Sequence, residues 1–215
     1  MRLFLNPPLR RDCALAFDLD GTLYDNPQYM KAQEESQVAE LAHFLGVAVD
    51  AAAARIQDIR ETRRTLHLAP ASLGDIFREL GVSDNLIVQW RIENIHPRTW
   101  LSDDSKLRDT LRELSSRHEL ALITNNPKIV GIESLRAMGV RSLFTTIVGL
   151  DDTFKSKPHP APFRAFLEAA HRKPADCVVI GDRYSVDIEP ALQLGMQGIL
   201  IEAPPEVHLL PELLG

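Results

Sequence analysis

Closely spaced aspartates follow two apolar runs of the sequence, and such pairs can do nucleophilic and acid–base chemistry. Asp18 and Asp20 follow the run Cys13–Phe17 with one residue between them, and Asp182 and Asp187 follow a later run. One carboxylate of a close pair can attack an electrophile such as phosphorus, while the other transfers a proton. These side chains therefore suit a covalent mechanism in which a hard hydrolysis is split into two easier steps.

A metal ion is the second expectation from the same residues. Several carboxylates at one place raise one another's pKa unless a cation neutralises them. The cluster contains oxygen donors and no His or Cys, which favours a hard divalent cation, and Mg²⁺ best fits phosphate chemistry. Thr124 and Asn125 follow another apolar run, and Lys157 precedes a proline, so a hydroxyl, an amide and a second positive charge are available as well.

The elements that must position these residues are strands buried on both faces. Continuous rather than alternating apolar runs are typical of such strands. Helical patterns lie between the runs, and strand–helix alternation over residues 100–201 predicts a parallel sheet with right-handed connections. Ligands of such sheets bind beyond the carboxyl ends of the strands, where the polar residues stand. The runs are Cys13–Phe17, Leu120–Ile123, Thr146–Val148, Cys177–Ile180 and Gly198–Ile201.

Residues 26–99 interrupt this alternation. They contain no convincing strand, and helix-like stretches are predicted at about 27–45, 50–66, 72–80 and 84–93, separated by Gly46, Pro70 and Gly81. The fold class predicted is therefore α/β, a three-layer Rossmann-like parallel sheet core with an inserted helical domain. The tail from Pro204 to Gly215 is rich in Leu and Pro and is predicted to be irregular.

Composition excludes several classes of protein. The chain has 215 residues, 45% of them hydrophobic and 25% charged, which is ordinary for a globular protein with a core. The net charge of −6 argues against nucleic acid or an anionic membrane as the main partner, because both need a basic surface. The N-terminal apolar run is too short for a signal peptide, so a cytoplasmic protein is predicted.

Four motifs in this sequence resemble those of the haloacid dehalogenase (HAD) superfamily, and they occur in the family's order. Asp18-Leu19-Asp20-Gly21-Thr22 resembles motif I, and Thr124-Asn125 resembles motif II. Lys157-Pro158 is similar to motif III, and Gly181-Asp182 with Asp187 is similar to motif IV. The resemblance covers nearly the whole chain. It implies a core of residues 1–24 and 100–215, with residues 25–99 as a helical cap of the C1 type.

The resemblance implies a role for each motif residue. Asp18 would be the nucleophile and a Mg²⁺ ligand, and Asp20 the general acid and base, with its backbone carbonyl on the metal. Thr124 and Asn125 would bind the phosphoryl group, and Lys157 would neutralise charge. The remaining metal ligands would be Asp182 and Asp187.

The activity implied is Mg²⁺-dependent hydrolysis of a small phosphomonoester through an aspartyl-phosphate. Phosphoglycolate, a sugar phosphate or a nucleotide is the expected class of small phosphorylated metabolite. Dehalogenases of the family typically lack the second aspartate of motif I, so Asp20 favours a phosphatase. A phosphomutase of the β-phosphoglucomutase type and a non-catalytic HAD-fold binding protein remain as alternatives, and the oligomeric state cannot be inferred.

Two departures from the family motifs, and one group of basic residues in the insert, leave alternatives open. Asn126 stands where many relatives have Gly, and Arg183 where a small residue is common, so Arg183 either pairs with an acidic neighbour or faces the substrate. In the insert, one helix face carries either a site for an anionic group or, more in keeping with nearby acids such as Glu61, a solvated and paired surface. That face consists of Arg60, Arg63, Arg64 and His67.

The two cysteines are predicted to be buried, reduced and side by side. Cys13 precedes Asp18 by five residues, and Cys177 precedes Asp182 by five. In the strand order usual for the family, the strands of motifs I and IV are neighbours. Equal spacing to the motif aspartates therefore predicts that the two thiols pair across adjacent strands.

Overall fold

The computed structural model describes residues 1–5, 12–68 and 71–214. The chain divides into two compact units, Met1–Asn26 with His96–Gly215 as the first and Pro27–Ile95 as the second. The boundaries expected from the sequence, after residues 24 and 99, and the C1 type of the insert stay predictions. No helix of the described ranges combines the length and the apolar character that crossing a membrane requires.

The first unit is built on a six-stranded sheet in the order β1-β6-β5-β2-β3-β4. Every neighbouring pair is parallel except β1 and β6, which are antiparallel. All residues of β2 and β5 are buried, as continuous apolar runs predict. The strands are β1 Arg2–Phe4, β2 Ala14–Phe17, β3 Glu119–Ile123, β4 Phe144–Val148, β5 Cys177–Gly181 and β6 Gln197–Leu200.

The second unit is helical throughout its regular elements. Ser72 and Ser83 cap its third and fourth helices, and each accepts a hydrogen bond from the backbone N–H group three residues on. The indole of Trp90 packs edge-on against the rings of Phe44 and Phe77, and this aromatic cluster joins three of the helices. The helices are α1 Pro27–Leu45, α2 Val49–Thr65, α3 Leu73–Glu79 and α4 Asp84–Asn94.

Helices cover both faces of the sheet, which gives three layers. On one face, Ala14, Ala16 and Cys177 form a buried cluster with Phe163 and Phe166 of the helix Ala161–Ala169. On the other face, the helix Lys128–Ala137 approaches β3 closely at Gly131. The helices of the first unit are α5 Pro97–Trp100, α6 Ser105–Ser115, α7 Lys128–Ala137, α8 Leu150–Thr153, α9 Ala161–Ala169, α10 Glu189–Gln193 and α11 Leu210–Leu213.

The predicted parallel sheet is confirmed for β2 to β6, and the short segment Arg2–Phe4, for which the sequence indicated no strand, adds an antiparallel edge strand beside β6. One prediction about the first unit is wrong: the tail is not irregular, because Pro204–Leu209 forms a 3₁₀ helix that leads into α11. Its prolines stand in the first turns of these helices, where a missing N–H is tolerated.

The two thiols are free and buried, and their strands are neighbours, as predicted. The register, however, places Cys177 beside Ala14, so the expected pairing of Cys177 with Cys13 is wrong by one residue. Cys13 Sγ instead lies 3.4 Å from Nδ1 of His118. Equal spacing to the motif aspartates failed as a guide because the aspartates themselves are not aligned across the two strands.

Candidate active site

The carboxyl ends of three adjacent strands bring the motif residues to one edge of the sheet. Asp18 follows β2, Thr124 follows β3 and Asp182 follows β5, and β2 lies between the other two strands. The backbone N–H of Asp18 donates to the carbonyl of Ile180 at 2.8 Å, and that of Thr124 donates to the carbonyl of Val148 at 3.0 Å. The sheet hydrogen bonding therefore continues through Asp18 and Thr124 and fixes their positions.

Three of the predicted carboxylates converge. Oxygens of Asp18, Asp182 and Asp187 all lie within 4.8 Å of one another. Burial raises the pKa of Asp182 to about 6, and the nearby charge of Asp18 adds to this effect. Within the described residues, the buried Oδ1 of Asp182 has no hydrogen-bond partner. A compact, all-oxygen and under-neutralised set of this kind fits a hard divalent cation such as Mg²⁺.

Lys157 is the fixed counter-charge of the cluster. Its Nζ lies 2.6 Å from Oδ1 of Asp18 and 2.7 Å from Oδ1 of Asp187, and its side chain is only 1% exposed. Burial disfavours the charged amine, but the two carboxylates outweigh burial and raise the pKa of Lys157 above its ordinary value. Lys157 is therefore an ammonium ion, whereas the nearby Lys155 is exposed.

Asn125 holds the backbone of Lys157. Its side-chain Oδ1 accepts a hydrogen bond from the N–H of Lys157 at 2.7 Å, and its Nδ2 donates to the carbonyl of the same residue at 3.1 Å. The side-chain amide of Asn125 thus forms with the backbone of Lys157 the same two kinds of hydrogen bond that a neighbouring strand would form. The sequence had suggested a phosphate-binding role for this amide, and the structure shows these two bonds to Lys157.

Asp20 stands apart from the carboxylate cluster. Tyr24 donates its phenolic O–H to one oxygen of Asp20, and Nδ2 of Asn126 donates to the other at 3.2 Å. Sequence reasoning did not find these two partners. The i to i+4 spacing within one turn could have indicated Tyr24, but no local pattern indicates Asn126, which is 106 residues away along the chain. Both oxygens of this carboxylate are therefore held by hydrogen-bond donors.

Thr124 presents a buried hydroxyl at the same edge. Its Oγ1 accepts a hydrogen bond from the backbone N–H of Asn126 at 3.1 Å. Because the hydroxyl acts as an acceptor there, its hydrogen is left to be donated elsewhere. A donor of this kind, at the end of the strand that neighbours the strand of Asp18, suits an anionic oxygen of a ligand.

Two glycines allow the backbone to approach Asp182 and Asp187 closely. Gly21 has a φ of 84°, and a Cβ at this position would lie 2.7 Å from Oδ2 of Asp182. A Cβ at Gly181 would lie 2.5 Å from Cβ of Asp187, which stands in the π-helical turn Tyr184–Ile188. The wide turn and the missing side chain together bring Asp187 inward to Lys157.

In the second unit, the three arginines of the predicted basic helix face form ion pairs with acidic side chains. Arg60 lies 2.9 Å from Glu34, Arg63 lies 2.7 Å from Glu79, and Arg64 binds Glu61 through two hydrogen bonds. The paired surface that the sequence favoured is therefore observed. The expected place of His67 on this helix face is wrong, because α2 ends at Thr65 and His67 lies beyond it with a φ of 52°.

Comparisons with known proteins bear on the family and the fold of the chain. A family model described as haloacid dehalogenase-like hydrolase matches residues 15–201. The chain is 28% identical to a pyrophosphatase PpaX of Bacillus pumilus over 172 residues, covering 78% of this chain and 73% of the relative. It is 26% identical to a phosphoglycolate phosphatase of Colwellia psychrerythraea over 184 residues, covering 78% and 75%. A HAD phosphatase from Thermococcus onnurineus matches in fold with a TM-score of 0.61 and 21% identity, covering 94% and 98%.

Proposed function

The chain belongs to the haloacid dehalogenase-like hydrolases, and on this premise we propose that it is a Mg²⁺-dependent phosphatase of a small phosphomonoester. The reaction proceeds through a phosphoryl group carried on Asp18. The names of the two related phosphatases support this class of reaction. The second aspartate of motif I supports a phosphatase over a dehalogenase, because a proton must reach the leaving oxygen.

The observation that carries the proposal is the environment of Asp18. One carboxylate oxygen, Oδ1, is held by Nζ of Lys157 at 2.6 Å. The other, Oδ2, lies 3.5 Å from Oγ1 of Thr22. A buried carboxylate that is held at one oxygen by an ammonium group is oriented for attack through the other.

Each step follows from groups at this edge of the sheet. An oxygen of Asp18 attacks phosphorus, the bond from phosphorus to the leaving oxygen breaks, and Asp20 gives that oxygen a proton. Water then attacks the phosphorus of the aspartyl-phosphate, Asp20 takes a proton from the water, and the bond to Asp18 breaks. Thr124 donates its hydroxyl to a phosphoryl oxygen, and Lys157 balances negative charge throughout.

The metal has a clear place in the proposal. The oxygens of Asp18, Asp182 and Asp187, with the backbone carbonyl of Asp20, would hold Mg²⁺. When bound there, Mg²⁺ supplies positive charge that offsets the charge of the phosphate. The carboxylates and Lys157 alone leave the cluster negative, which would repel an anionic substrate.

The first experiment measures phosphate release from a panel of phosphorylated compounds. The panel contains phosphoglycolate, sugar phosphates, nucleoside monophosphates and, because of the PpaX relative, inorganic pyrophosphate. We expect release from at least one member with Mg²⁺ and none after chelation. Asp18→Asn should abolish release, whereas Asp109→Asn, an exposed change on α6, should leave it unchanged. Full activity of Asp18→Asn would refute the mechanism.

A second experiment separates a phosphatase from a phosphomutase. A mutase should retain its phosphoenzyme against water, whereas a phosphatase should release phosphate steadily. With p-nitrophenyl phosphate, whose leaving group needs no proton, intact-protein mass spectrometry after acid quenching would detect the phosphoryl adduct in Asp20→Asn, in which hydrolysis of the adduct lacks its general base. An adduct that persists in the unmodified enzyme would favour the mutase.

A further inference from the structure

Arg183 places a second cation beside the carboxylate cluster. Its Nε lies 3.6 Å from Oδ1 of Asp182 and 3.8 Å from Oδ2 of Asp187, and its Nη2 lies 4.0 Å from Oδ2 of Asp18. These are the same three residues whose oxygens converge within 4.8 Å. The guanidinium group and a divalent cation would therefore share one set of partners.

Arg183 is held differently from Lys157. The three distances exceed those of N–H···O hydrogen bonds, so the guanidinium is attracted by charge without a directional bond. Its side chain is 48% exposed, whereas that of Lys157 is 1% exposed. Moving Arg183 into water therefore involves little change in solvation. Its backbone stays in place, because its N–H donates to Oδ2 of Asp187 at 3.2 Å.

We propose that Arg183 is a tethered counter-ion of the metal-free site, which competes with the divalent cation for Asp18, Asp182 and Asp187 and swings into solvent when that cation binds. The inference rests on the proposed function only in that this cluster binds a divalent cation. The three carboxylates are balanced by Lys157 and Arg183 to within one charge. Without Arg183 the cluster is more negative and one side of it is open, and both effects favour the cation.

The competition explains why an arginine can stand next to a metal ligand. In the metal-free protein it reduces repulsion among buried carboxylates, which would otherwise destabilise the fold. In the metal-bound protein it lies on a flexible stem at the edge of the site. A fixed cation such as Lys157 could not make this exchange, because it lacks access to water.

The test is direct titration with Mn²⁺, followed by electron paramagnetic resonance of the free ion and without any substrate. Arg183→Gln should bind Mn²⁺ more tightly than the unmodified protein, on the order of tenfold. Arg112→Gln, which removes one positive charge from an exposed ion pair on α6, should leave the affinity within about twofold, since exposed charges at a distance are screened. Asp182→Asn should weaken binding, which identifies the cluster as the site.

The outcomes separate this inference from the proposed function. If Asp182→Asn weakens binding but Arg183→Gln binds equally or more weakly than the unmodified protein, the competition is refuted and the metal site stands. If no variant binds Mn²⁺, the metal site of the proposed function fails, and the competition fails with it. Urea denaturation of each variant shows that it is folded before its titration is interpreted.

A measurement on the unmodified protein tests the movement itself. Phenylglyoxal modifies accessible guanidinium groups, and peptide mass spectrometry reports the rate at Arg183 alone. We expect Mn²⁺ to increase that rate severalfold, while the rate at Arg112 stays constant. An equal or slower rate at Arg183 would refute the movement of its side chain into solvent.

Discussion

Replacement of Asn125 by alanine tests whether one side chain positions the lysine of the site. The amide makes two hydrogen bonds to the backbone of Lys157, at 2.7 and 3.1 Å, and Lys157 is buried. A buried polar group left without its partner costs about 1–3 kcal/mol. Because two such groups lose their partner together, we expect Asn125→Ala to lower the free energy of unfolding by about 2–4 kcal/mol.

The assay is urea denaturation at neutral pH, with the midpoint and slope fitted together. Gln89→Ala is the matched control, because its amide donates to Oε1 of Glu93 at an exposed position. We expect the control to lose less than about 1 kcal/mol. On the proposed function, kcat of Asn125→Ala should also fall, since Lys157 would no longer be held against Asp18. A loss of stability no greater than that of the control would refute the reasoning.

Further predictions concern the cluster and the thiols. Lys157→Met should lower the free energy of unfolding by about 3–5 kcal/mol, because two buried carboxylates lose their partner, and denaturant titration would measure it. Gly181→Ala should lose about 1–3 kcal/mol in the same assay, since its Cβ would lie 2.5 Å from another Cβ. Asp20→Asn should slow hydrolysis of an alkyl phosphate by about 10²–10⁴, and that of p-nitrophenyl phosphate by less, because nitrophenolate leaves without a proton. Burial raises the pKa of Cys13 to about 11 and of Cys177 to about 12, so iodoacetamide at pH 8 should label neither until denaturant is added.

Each of these predictions has a contradicting result. A stability change below about 1 kcal/mol in Lys157→Met would mean that the carboxylates are neutralised in another way. Wild-type stability of Gly181→Ala would mean that the π-helical turn can shift freely. Equal slowing of both phosphates in Asp20→Asn would exclude it as the acid, and rapid labelling of the native thiols would show that their strands open.

The strand ends could be predicted because a strand buried on both faces is a continuous run of apolar residues in the sequence. β2 and β5 are runs of apolar residues that stop where the chain reaches the site, so Asp18 and Asp182 could be located from the sequence alone. β1 is not such a run. It has only three residues, two of them exposed, and it becomes a strand because β6 offers an open edge. An edge strand depends on its neighbour more than on its own sequence.

The side-chain contacts within the site could not be predicted in the same way. That Lys157 faces Asp18 follows from the family's motifs, but the hydrogen bonds of Asn125 to Lys157 depend on how two loops meet. The same is true of Asn126, whose amide reaches Asp20 from another strand end. Such contacts are set by loop geometry and rotamers, which leave no periodic pattern in a sequence.

The position of β2 in the middle of the sheet has a consequence for folding during synthesis. One of the two neighbours of β2, β5, begins only at Cys177, so an edge of the strand that leads to Asp18 stays open until the chain has been made past that residue. Long-range parallel pairings of this kind form slowly and expose apolar edges meanwhile. The incomplete chain also holds Asp18 without Asp187. We therefore expect fragments that end before β5 to aggregate or engage chaperones, and the carboxylate cluster to form only after Asp187 has been made.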